Sequence, residues 1–191
     1  MVQNLKNIEC NELFKLGYFT IQDISSMLVG KIANPEKDSK VLDICSAPGG
    51  KTTHVATIME NTGQVIARDV FDHKLKLIKS TVNRLGLTNV SVENRDALKL
   101  DDNSIDKFDY VLADVPCSGL GIIRRKPEIK FKEASELSGL PDIQSKILNN
   151  ASKYVKENGT LIYSTCTIHD EENIDVVEQF LKENKNFELV P

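Results

Sequence analysis

The amino-acid sequence predicts an α/β fold in which a mainly parallel sheet carries helices on both faces. Two observations support this fold class. Short apolar segments with strand character alternate with helical patterns along the chain, as in proteins built from right-handed β-α-β crossovers. The motifs that can carry chemistry follow the ends of the predicted strands, which is where ligands bind in such sheets.

The predicted elements alternate as this fold class requires. The helix pattern at 171–182 repeats Ile174, Val177 and Leu181 at spacings of three and four residues, which gives one apolar stripe. Residues 187–190 resemble the start of a sixth strand that Pro191 ends, so we expect the last strands to be truncated and more protein to lie on both sides. The predicted strands are 40–45, 64–69, 90–94, 110–114 and 160–164, and the predicted helices are 21–31, 51–61, 72–85, 143–157 and 171–182.

Length and composition indicate one domain. The 191 residues, 40% of them hydrophobic, fit a single domain over 1–191, with a helical lead-in at 1–35 and the core at 36–191. No run of about 18 apolar residues occurs, and the first residues lack the apolar run of a secretory signal. We therefore expect no membrane partner.

Cysteine usage points to a reducing compartment. The four cysteines show no CxxC motif and no paired spacing with the three histidines, which argues against a zinc site and a disulfide framework. We expect no metal and a cytoplasmic location.

The charge distribution is uneven. With 24 basic and 28 acidic residues the net charge is −4, which is unfavourable for a stand-alone nucleic-acid binder. Residues 124–132 nevertheless contain five basic residues and one acidic residue. By itself such a segment is usually a solvated loop. Its basic residues include Arg124, Arg125, Lys126 and Lys130.

A loop of small residues follows the first predicted strand. Such a loop lets the backbone approach a ligand, and the free amides of the following helix favour a carboxylate or phosphate. The segment is not GxGxxG, and the phosphate-binding motif GxxxxGK[ST] requires glycine where Cys45 stands, so nucleoside triphosphates are disfavoured. The loop and helix start comprise Ser46, Ala47, Pro48, Gly49, Gly50 and Lys51.

Acidic residues follow the next two strands. Asp69 ends the second strand 26 residues after Asp43, where its carboxylate can accept from both hydroxyls of a ribose. Asp96 follows the third strand and can meet an adenine amino group. Each residue alone is more often a solvated strand end or a helix cap. Three acids at successive strand ends, after this loop, favour an adenosyl cofactor.

Two cysteines follow the fourth and fifth strands. A lone cysteine is usually a small buried hydrophobic residue, which is the interpretation we give Cys10 and Cys45. Cys117 lies three residues after Asp114, and Cys166 lies two residues after the fifth strand, so both are expected in one cleft. Two thiols without metal-ligand spacing predict covalent catalysis on a substrate that the spacing does not identify.

With these motifs the sequence resembles the catalytic domain of the RNA cytosine-5 methyltransferases, the Sun/Fmu/NOP2 group. This resemblance implies a Rossmann-like class I fold dependent on S-adenosylmethionine and covers roughly residues 17–185. Lys126 stands where histidine is common and Val115 where alanine is common. We expect the family's N-terminal RNA-binding module to lie outside this sequence. The matching segments are DICSAPGGKT from Asp43, DVPCSG from Asp114, STCT from Ser164, Glu171-Glu172-Asn173, Gly17-Tyr18-Phe19 with Gln22-Asp23, and RRKPEIK from Arg124.

The resemblance implies a role for each site residue. Cys166 is the nucleophile that adds to carbon 6 of cytosine, Cys117 assists elimination, and Asp114 hydrogen-bonds the base. Lys51 either lowers the pKa of Cys166 or binds substrate phosphate. The methionine carboxylate lies near the amides of residues 47–50, the ribose on Asp69 and the adenine near Asp96, with the basic loop 124–132 as a clamp on single-stranded or flipped-out RNA.

The implied activity is the methylation of cytosine carbon 5 in RNA, with ribosomal RNA the expected substrate. Three alternatives remain: an inactive cofactor- and RNA-binding scaffold of ribosome assembly, a transfer-RNA methyltransferase, and a methyltransferase for DNA or small molecules. The second cysteine motif and the basic loop disfavour the last of these. Because the domain is acidic, we expect most RNA affinity to reside in the missing module, and this chain to bind RNA weakly with strong salt dependence.

Overall fold

Five parallel strands form one sheet in the order β3-β2-β1-β4-β5 in the computed structural model, which describes residues 7–132 and 138–190. Strand order reverses at β1, which has β2 on one side and β4 on the other, so the ligand crevice is expected beyond the carboxyl end of β1. The strands are β1 Lys40–Asp43, β2 Gln64–Asp69, β3 Val90–Asn94, β4 Phe108–Asp114 and β5 Val155–Ser164.

α-Helices separate these strands along the chain except between β3 and β4, where the connection contains only the 3-10 turn Asp102–Ser104. None of those within 7–132 and 138–190 is long and apolar enough to cross a membrane. Asp23 caps the second helix by accepting a hydrogen bond from the amide of Ser25 at 3.1 Å, so this helix begins three residues later than predicted. The helices are α1 Glu12–Lys15, α2 Ile24–Ala33, α3 Gly50–Ile58, α4 Asp72–Arg84, α5 Leu140–Ser152 and α6 Ile174–Glu183.

Two sequence predictions at the far edge are wrong. The helix predicted to reach residue 157 ends at Ser152, because Val155 is buried and pairs with Phe108 of β4, which starts β5 five residues early. Residues 187–190 form no strand; Phe187 instead packs edge-on against Phe180 of α6, with ring centroids 5.2 Å apart. Pro191 lies outside the described residues, as do residues 1–6 of the predicted lead-in.

The strand β1 buries both of its faces. Val41 packs with Val55 and Met59 of the α3 region, whereas the next residue, Leu42, packs with Ile147 of α5 on the opposite face. Successive side chains of a strand point to opposite faces, so two apolar neighbours require cover on both sides. The observed architecture therefore confirms the predicted three-layer α/β class.

The lead-in is attached to the core through Arg84, at the end of α4. Its guanidinium donates to the carbonyls of Phe14 at 2.8 Å and Phe19 at 3.1 Å and lies 3.9 Å from the centroid of the Phe14 ring. Farther along, the Gln22 amide donates to the carbonyl of Gly50 at 3.2 Å. These contacts hold the start of α2 beside the loop that follows β1.

Candidate functional site

The carboxyl ends of β1, β4 and β5 enclose a cleft of about 190 Å³. Lys51 reaches it from the first turn of α3, Asp114 from the end of β4, and Cys166 from the loop after β5. Residues predicted from three separate motifs therefore lie together. Other lining residues are Ser25, Arg125, Ser164, Thr165 and Thr167.

The two thiols are direct neighbours. Cys117 Sγ lies 3.1 Å from Cys166 Sγ, and the amide of Cys166 donates to Cys117 Sγ at 3.2 Å. Cys166 is exposed and Cys117 is half-buried. Within residues 7–132 and 138–190, no three His, Cys, Asp or Glu side chains are grouped as metal ligands. The arrangement is a thiol pair open to solvent on the Cys166 side.

The surroundings favour a thiolate on Cys166. The hydrogen bond from Cys117 lowers the pKa of Cys166 to about 6; the ammonium of Lys51 also lowers it, whereas burial and the charge of Asp114 oppose the shift. The same hydrogen bond, followed by burial, raises the pKa of Cys117. Because Cys166 is the more exposed sulfur and lies nearer to a cation, it holds the negative charge and Cys117 keeps the proton.

Asp114 is held in one orientation by two neighbours. Its Oδ2 pairs with the Lys51 ammonium at 2.6 Å, and its Oδ1 accepts from the Ser164 hydroxyl at 2.8 Å. Only 17% of the Lys51 side chain and 28% of the Asp114 side chain are exposed, so the pair is poorly screened by water. The carboxylate therefore presents its remaining lone pairs to the cleft.

The loop after β1 forms a backbone cradle. Ser46 donates through both its amide and its hydroxyl to the carbonyl of Arg68 at 2.9 Å, which anchors the loop to β2. Gly49 adopts φ 101°, and a Cβ on it would lie 3.3 Å from Ile78. A Cβ on Gly50 would meet only the Gln22 amide, at 3.9 Å. The backbone at Gly50 is thus open to a ligand, whereas Gly49 is buried against Ile78.

Asp43 lies buried beneath this cradle. Its Oδ2 accepts from the Thr52 hydroxyl at 2.7 Å, while its buried Oδ1 has no hydrogen-bond partner among the described residues. Burial, with a smaller contribution from Asp114, raises the pKa of Asp43 to about 7 despite the bond from Thr52. An unpartnered acceptor at this depth is costly unless a ligand or water completes it.

Asp69 connects two loops of the site. Its Oδ2 accepts from the amide of Ala47 at 3.3 Å and its Oδ1 accepts from the amide of Phe71 at 3.1 Å. The sequence assigned this carboxylate to a ribose. In the structure, each oxygen already has one backbone donor and keeps a second lone pair.

Asp96 lines a separate cavity of about 480 Å³, beyond the ends of β2 and β3. Its Oδ1 accepts from the amide of Leu98 at 3.0 Å, which fixes the turn. The volume is in the range of small-molecule sites. Apolar and polar groups share its walls, among them Ile44, Val70, Asn94, Ala97 and Leu100.

The basic loop lies beside the cleft. Arg125 lines the cleft, and its guanidinium pairs with the carboxylate of Asp23 at 2.5 Å. Ile129 is buried beside Gly119, where an added Cβ would lie 3.0 Å from the Ile129 side chain. The structure therefore brings Arg125 to the cleft. The other three predicted contacts, Arg124, Lys126 and Lys130, are exposed on the adjoining surface.

Sequence reasoning gave no role to three residues that contact the site. Ser164 orients Asp114, and Glu172 and Asn173 hydrogen-bond the loops that carry the two cysteines. Glu172 and Asn173 stood in a matched motif, six and seven residues after Cys166, but only the folded chain shows what their side chains contact.

A model of the family described as 16S rRNA methyltransferase RsmB/F matches residues 31–191. The "Probable ribosomal RNA small subunit methyltransferase B" of Bacillus subtilis (strain 168) is 46% identical over 177 residues, which make up 92% of this chain and 40% of that protein. The "tRNA (cytosine(72)-C(5))-methyltransferase" of Pyrococcus horikoshii is 35% identical over 176 residues, 92% of this chain and 44% of that protein.

A solved structure gives the same result. NSun6 from Pyrococcus horikoshii, determined with the S-adenosylmethionine analogue SFG, superposes with a TM-score of 0.85 at 33% identity and covers 94% of this chain and 46% of that one. These comparisons confirm the predicted Rossmann-like methyltransferase fold and its dependence on S-adenosylmethionine. The chain spans less than half the length of each of these relatives.

Proposed function

This chain belongs to the 16S rRNA methyltransferase RsmB/F family, and on that premise we propose that it is the catalytic domain of an RNA (cytosine-5)-methyltransferase. One observation carries the proposal: the two thiols lie 3.1 Å apart, and Cys166 lines a cleft that also contains the Asp114–Lys51 pair. The domain forms 5-methylcytosine through a covalent cysteine adduct.

The two thiols have successive roles. The Cys166 thiolate adds to carbon 6 of cytosine, which makes carbon 5 nucleophilic. Once Cys166 is a thioether, it no longer accepts the proton of Cys117, so the pKa of Cys117 falls and the thiol releases its proton to solvent. After carbon 5 has gained the methyl group, the Cys117 thiolate takes the proton from carbon 5, the ring double bond re-forms, and Cys166 leaves as a thiolate.

Asp114 binds the base during the addition. Held by Lys51 and Ser164, its carboxylate is oriented to accept a hydrogen bond from the exocyclic amine. As the thiolate adds, ring nitrogen 3 takes a proton from solvent, which neutralises the charge developing there; the carboxylate accepts a hydrogen bond from this N–H, and the proton returns to solvent on elimination. Lys51 thus acts through Asp114 and through the pKa of Cys166.

The cradle and the Asp96 cavity fit the cofactor. Bound S-adenosylmethionine supplies the electrophilic methyl group. The backbone at residues 46–50 would face its methionine part, Asp69 its ribose and Asp96 its adenine. The open face of Gly50 and the cavity beside Asp96 support this assignment.

Ribosomal RNA is the proposed substrate, bound as a single-stranded or flipped-out cytosine. The family model and the Bacillus subtilis relative support it, and the relative named for transfer RNA makes tRNA the second candidate. The RNA phosphate backbone is contacted by the basic loop, through Arg124, Arg125, Lys126 and Lys130. An RNA-binding module outside residues 1–191 supplies most of the affinity. A reducing compartment keeps the adjacent cysteines as thiols, which supports a cytoplasmic location.

Adduct trapping tests the proposal. Cys117→Ala and Cys166→Ala are incubated with S-adenosylmethionine and either small-subunit rRNA or tRNA, and adducts are resolved on a denaturing gel. We expect Cys117→Ala to accumulate an adduct with rRNA and Cys166→Ala to form none. The full-length Bacillus subtilis relative is the control. If the chain binds the cofactor but forms neither an adduct nor 5-methylcytosine, it is an inactive scaffold. If an adduct forms with tRNA alone, the substrate is tRNA rather than rRNA.

A further inference from the structure

Glu172 holds the chain on both sides of Cys117. Its Oε2 accepts from the amide of Ser118 at 2.8 Å and from the Gln144 amide at 2.9 Å. The same Gln144 nitrogen donates to the carbonyl of Pro116 at 3.0 Å. Ser118 is therefore bonded directly to the Glu172 carboxylate, and Pro116 is connected to it through Gln144. Glu172 is only 5% exposed.

Asn173 does the same for Cys166. Its Oδ1 accepts from the hydroxyl of Thr165, and its Nδ2 donates to the carbonyls of Thr167 and His169, each at 3.1 Å. Thr165 and Thr167 are the residues on either side of Cys166. One asparagine thus closes the loop that carries this cysteine.

Glu172 is charged at neutral pH. Burial raises the pKa of its carboxyl, but the hydrogen bonds from Ser118 and Gln144 outweigh burial and hold the pKa below its ordinary value. Its backbone is also fixed, because the Tyr163 hydroxyl of β5 donates to its carbonyl at 2.8 Å. The anchor for both loops is consequently attached to the sheet.

We propose that Glu172 and Asn173 are positioning residues that set the separation of the two sulfur atoms. The two residues are consecutive along the chain, so both cysteine loops are hydrogen-bonded to the same short, fixed segment. The proposal rests on the proposed function, since the separation determines whether Cys117 can donate to Cys166. When either loop is released, that hydrogen bond lengthens and the thiolate on Cys166 is less stabilised.

Thiol alkylation measures this directly and needs no RNA. The rate of Cys166 modification by iodoacetamide is followed against pH by peptide mass spectrometry for Glu172→Ala, Asn173→Ala and the unaltered chain. We expect the midpoint at Cys166 to rise by about 1 pH unit in both variants, which reduces the thiolate fraction on the order of tenfold below that pKa. S-adenosylmethionine affinity should remain unchanged.

Conservative variants and a neighbour separate positioning from general destabilisation. Glu172→Gln keeps an oxygen that accepts from Ser118 and Gln144, so it should restore the original midpoint. Asn173→Asp loses the N–H donor to the carbonyls of Thr167 and His169, so it should not restore the original midpoint. Glu171→Ala, on an exposed side chain of the same turn, is the matched control. Should Glu172→Ala fail to fold, Asn173→Ala, on a half-buried side chain, decides the question.

The outcomes distinguish this inference from the proposed function. Lowered melting temperatures with an unmoved Cys166 midpoint would show that Glu172 and Asn173 only stabilise the fold, and would overturn the inference. An equal shift in Glu171→Ala would also overturn it. A shifted midpoint in a chain that forms no adduct with any RNA would leave the positioning role intact and reject the methyltransferase proposal.

Discussion

At the residue scale, the contrast between the two cysteines is electrostatic. The sulfur atoms are 3.1 Å apart, so one proton shared between them stabilises a single negative charge. Lys51 and solvent exposure favour that charge on Cys166. Two identical side chains therefore differ in protonation state through their surroundings alone.

Reactivity of Cys166 should depend on pH and on Lys51. Its thiolate is present above its pKa of about 6, so alkylation is fast at neutral pH and slows as the pH falls through 6. Lys51→Met removes a cation and leaves the carboxylate of Asp114 unpaired, and both changes raise the pKa, so the midpoint moves upward. Stopped-flow alkylation measures it. Lys37→Met, in an exposed pair with Glu60, is the control and should leave the midpoint in place.

At the element scale, the loop between β1 and α3 needs glycine for two reasons. Gly49 has a left-handed backbone that ends one turn and starts α3, and the space beside its Cα is occupied by Ile78. The loop is also tied to β2 through Ser46 and Asp69. A change at Gly49 is therefore expected to alter both the fold of the loop and the backbone that we propose faces the cofactor.

Gly49→Ala should weaken both stability and cofactor binding. A side chain at φ 101° costs roughly 1–2 kcal/mol, and the loop must shift to relieve the contact with Ile78. Gly86→Ala is the matched control, because φ is +66° there but no atom lies within 4 Å of the added Cβ. Urea unfolding should show both variants destabilised, and calorimetric titration with S-adenosylmethionine should show weaker binding for Gly49→Ala alone. Equal affinities would contradict the cradle.

At the scale of the whole molecule, burial on two faces of the sheet supports the fold. Leu42 of β1 has no exposed surface and packs with Val111 of β4 and Ile147 of α5. The charge of the entire chain is −4, so we expect attraction to RNA to depend on the basic loop rather than on net charge. Stability and RNA binding are therefore predicted to depend on separate parts of the molecule.

Leu42→Ala should lower the free energy of unfolding by about 2–5 kcal/mol, because it leaves a cavity in a closely packed core. Leu77→Ala, on a side chain of α4 that is 54% exposed, is the control and should cost far less. Urea denaturation measures both. A small loss for Leu42→Ala would mean that the layer between the sheet and α5 is loosely packed.

RNA binding by this chain should be weak and strongly salt-dependent. The double variant Arg124→Gln with Lys126→Gln should reduce the slope of log K against log salt by about 1.4, at ~0.7 for each phosphate contact with single-stranded RNA. Lys76→Gln with Lys79→Gln, at two exposed positions of α4, removes the same charge elsewhere. Fluorescence anisotropy over a salt series compares them. An equal change in slope for both pairs would indicate that the basic loop has no special role.

The sequence by itself determined the layered α/β class, the order of strands and helices along the chain, and the motifs at the strand ends, because these depend on local periodicity and on residue type. It also identified the family, and with it both cysteines. It misplaced the start of β5 and the end of α5, since pairing with Phe108 decides which conformation residues 155–157 adopt.

Only the tertiary structure decided how the site residues meet. The 3.1 Å sulfur contact joins residues 49 positions apart, the Lys51–Asp114 pair joins residues 63 apart, and the bond from Ser118 to Glu172 joins residues 54 apart. Distances between the strand ends follow from the order of the strands within the sheet and from their register, which local sequence patterns do not encode. For the same physical reason, the pKa difference between two cysteines in similar motifs depends on burial and on charges that only the folded chain brings near.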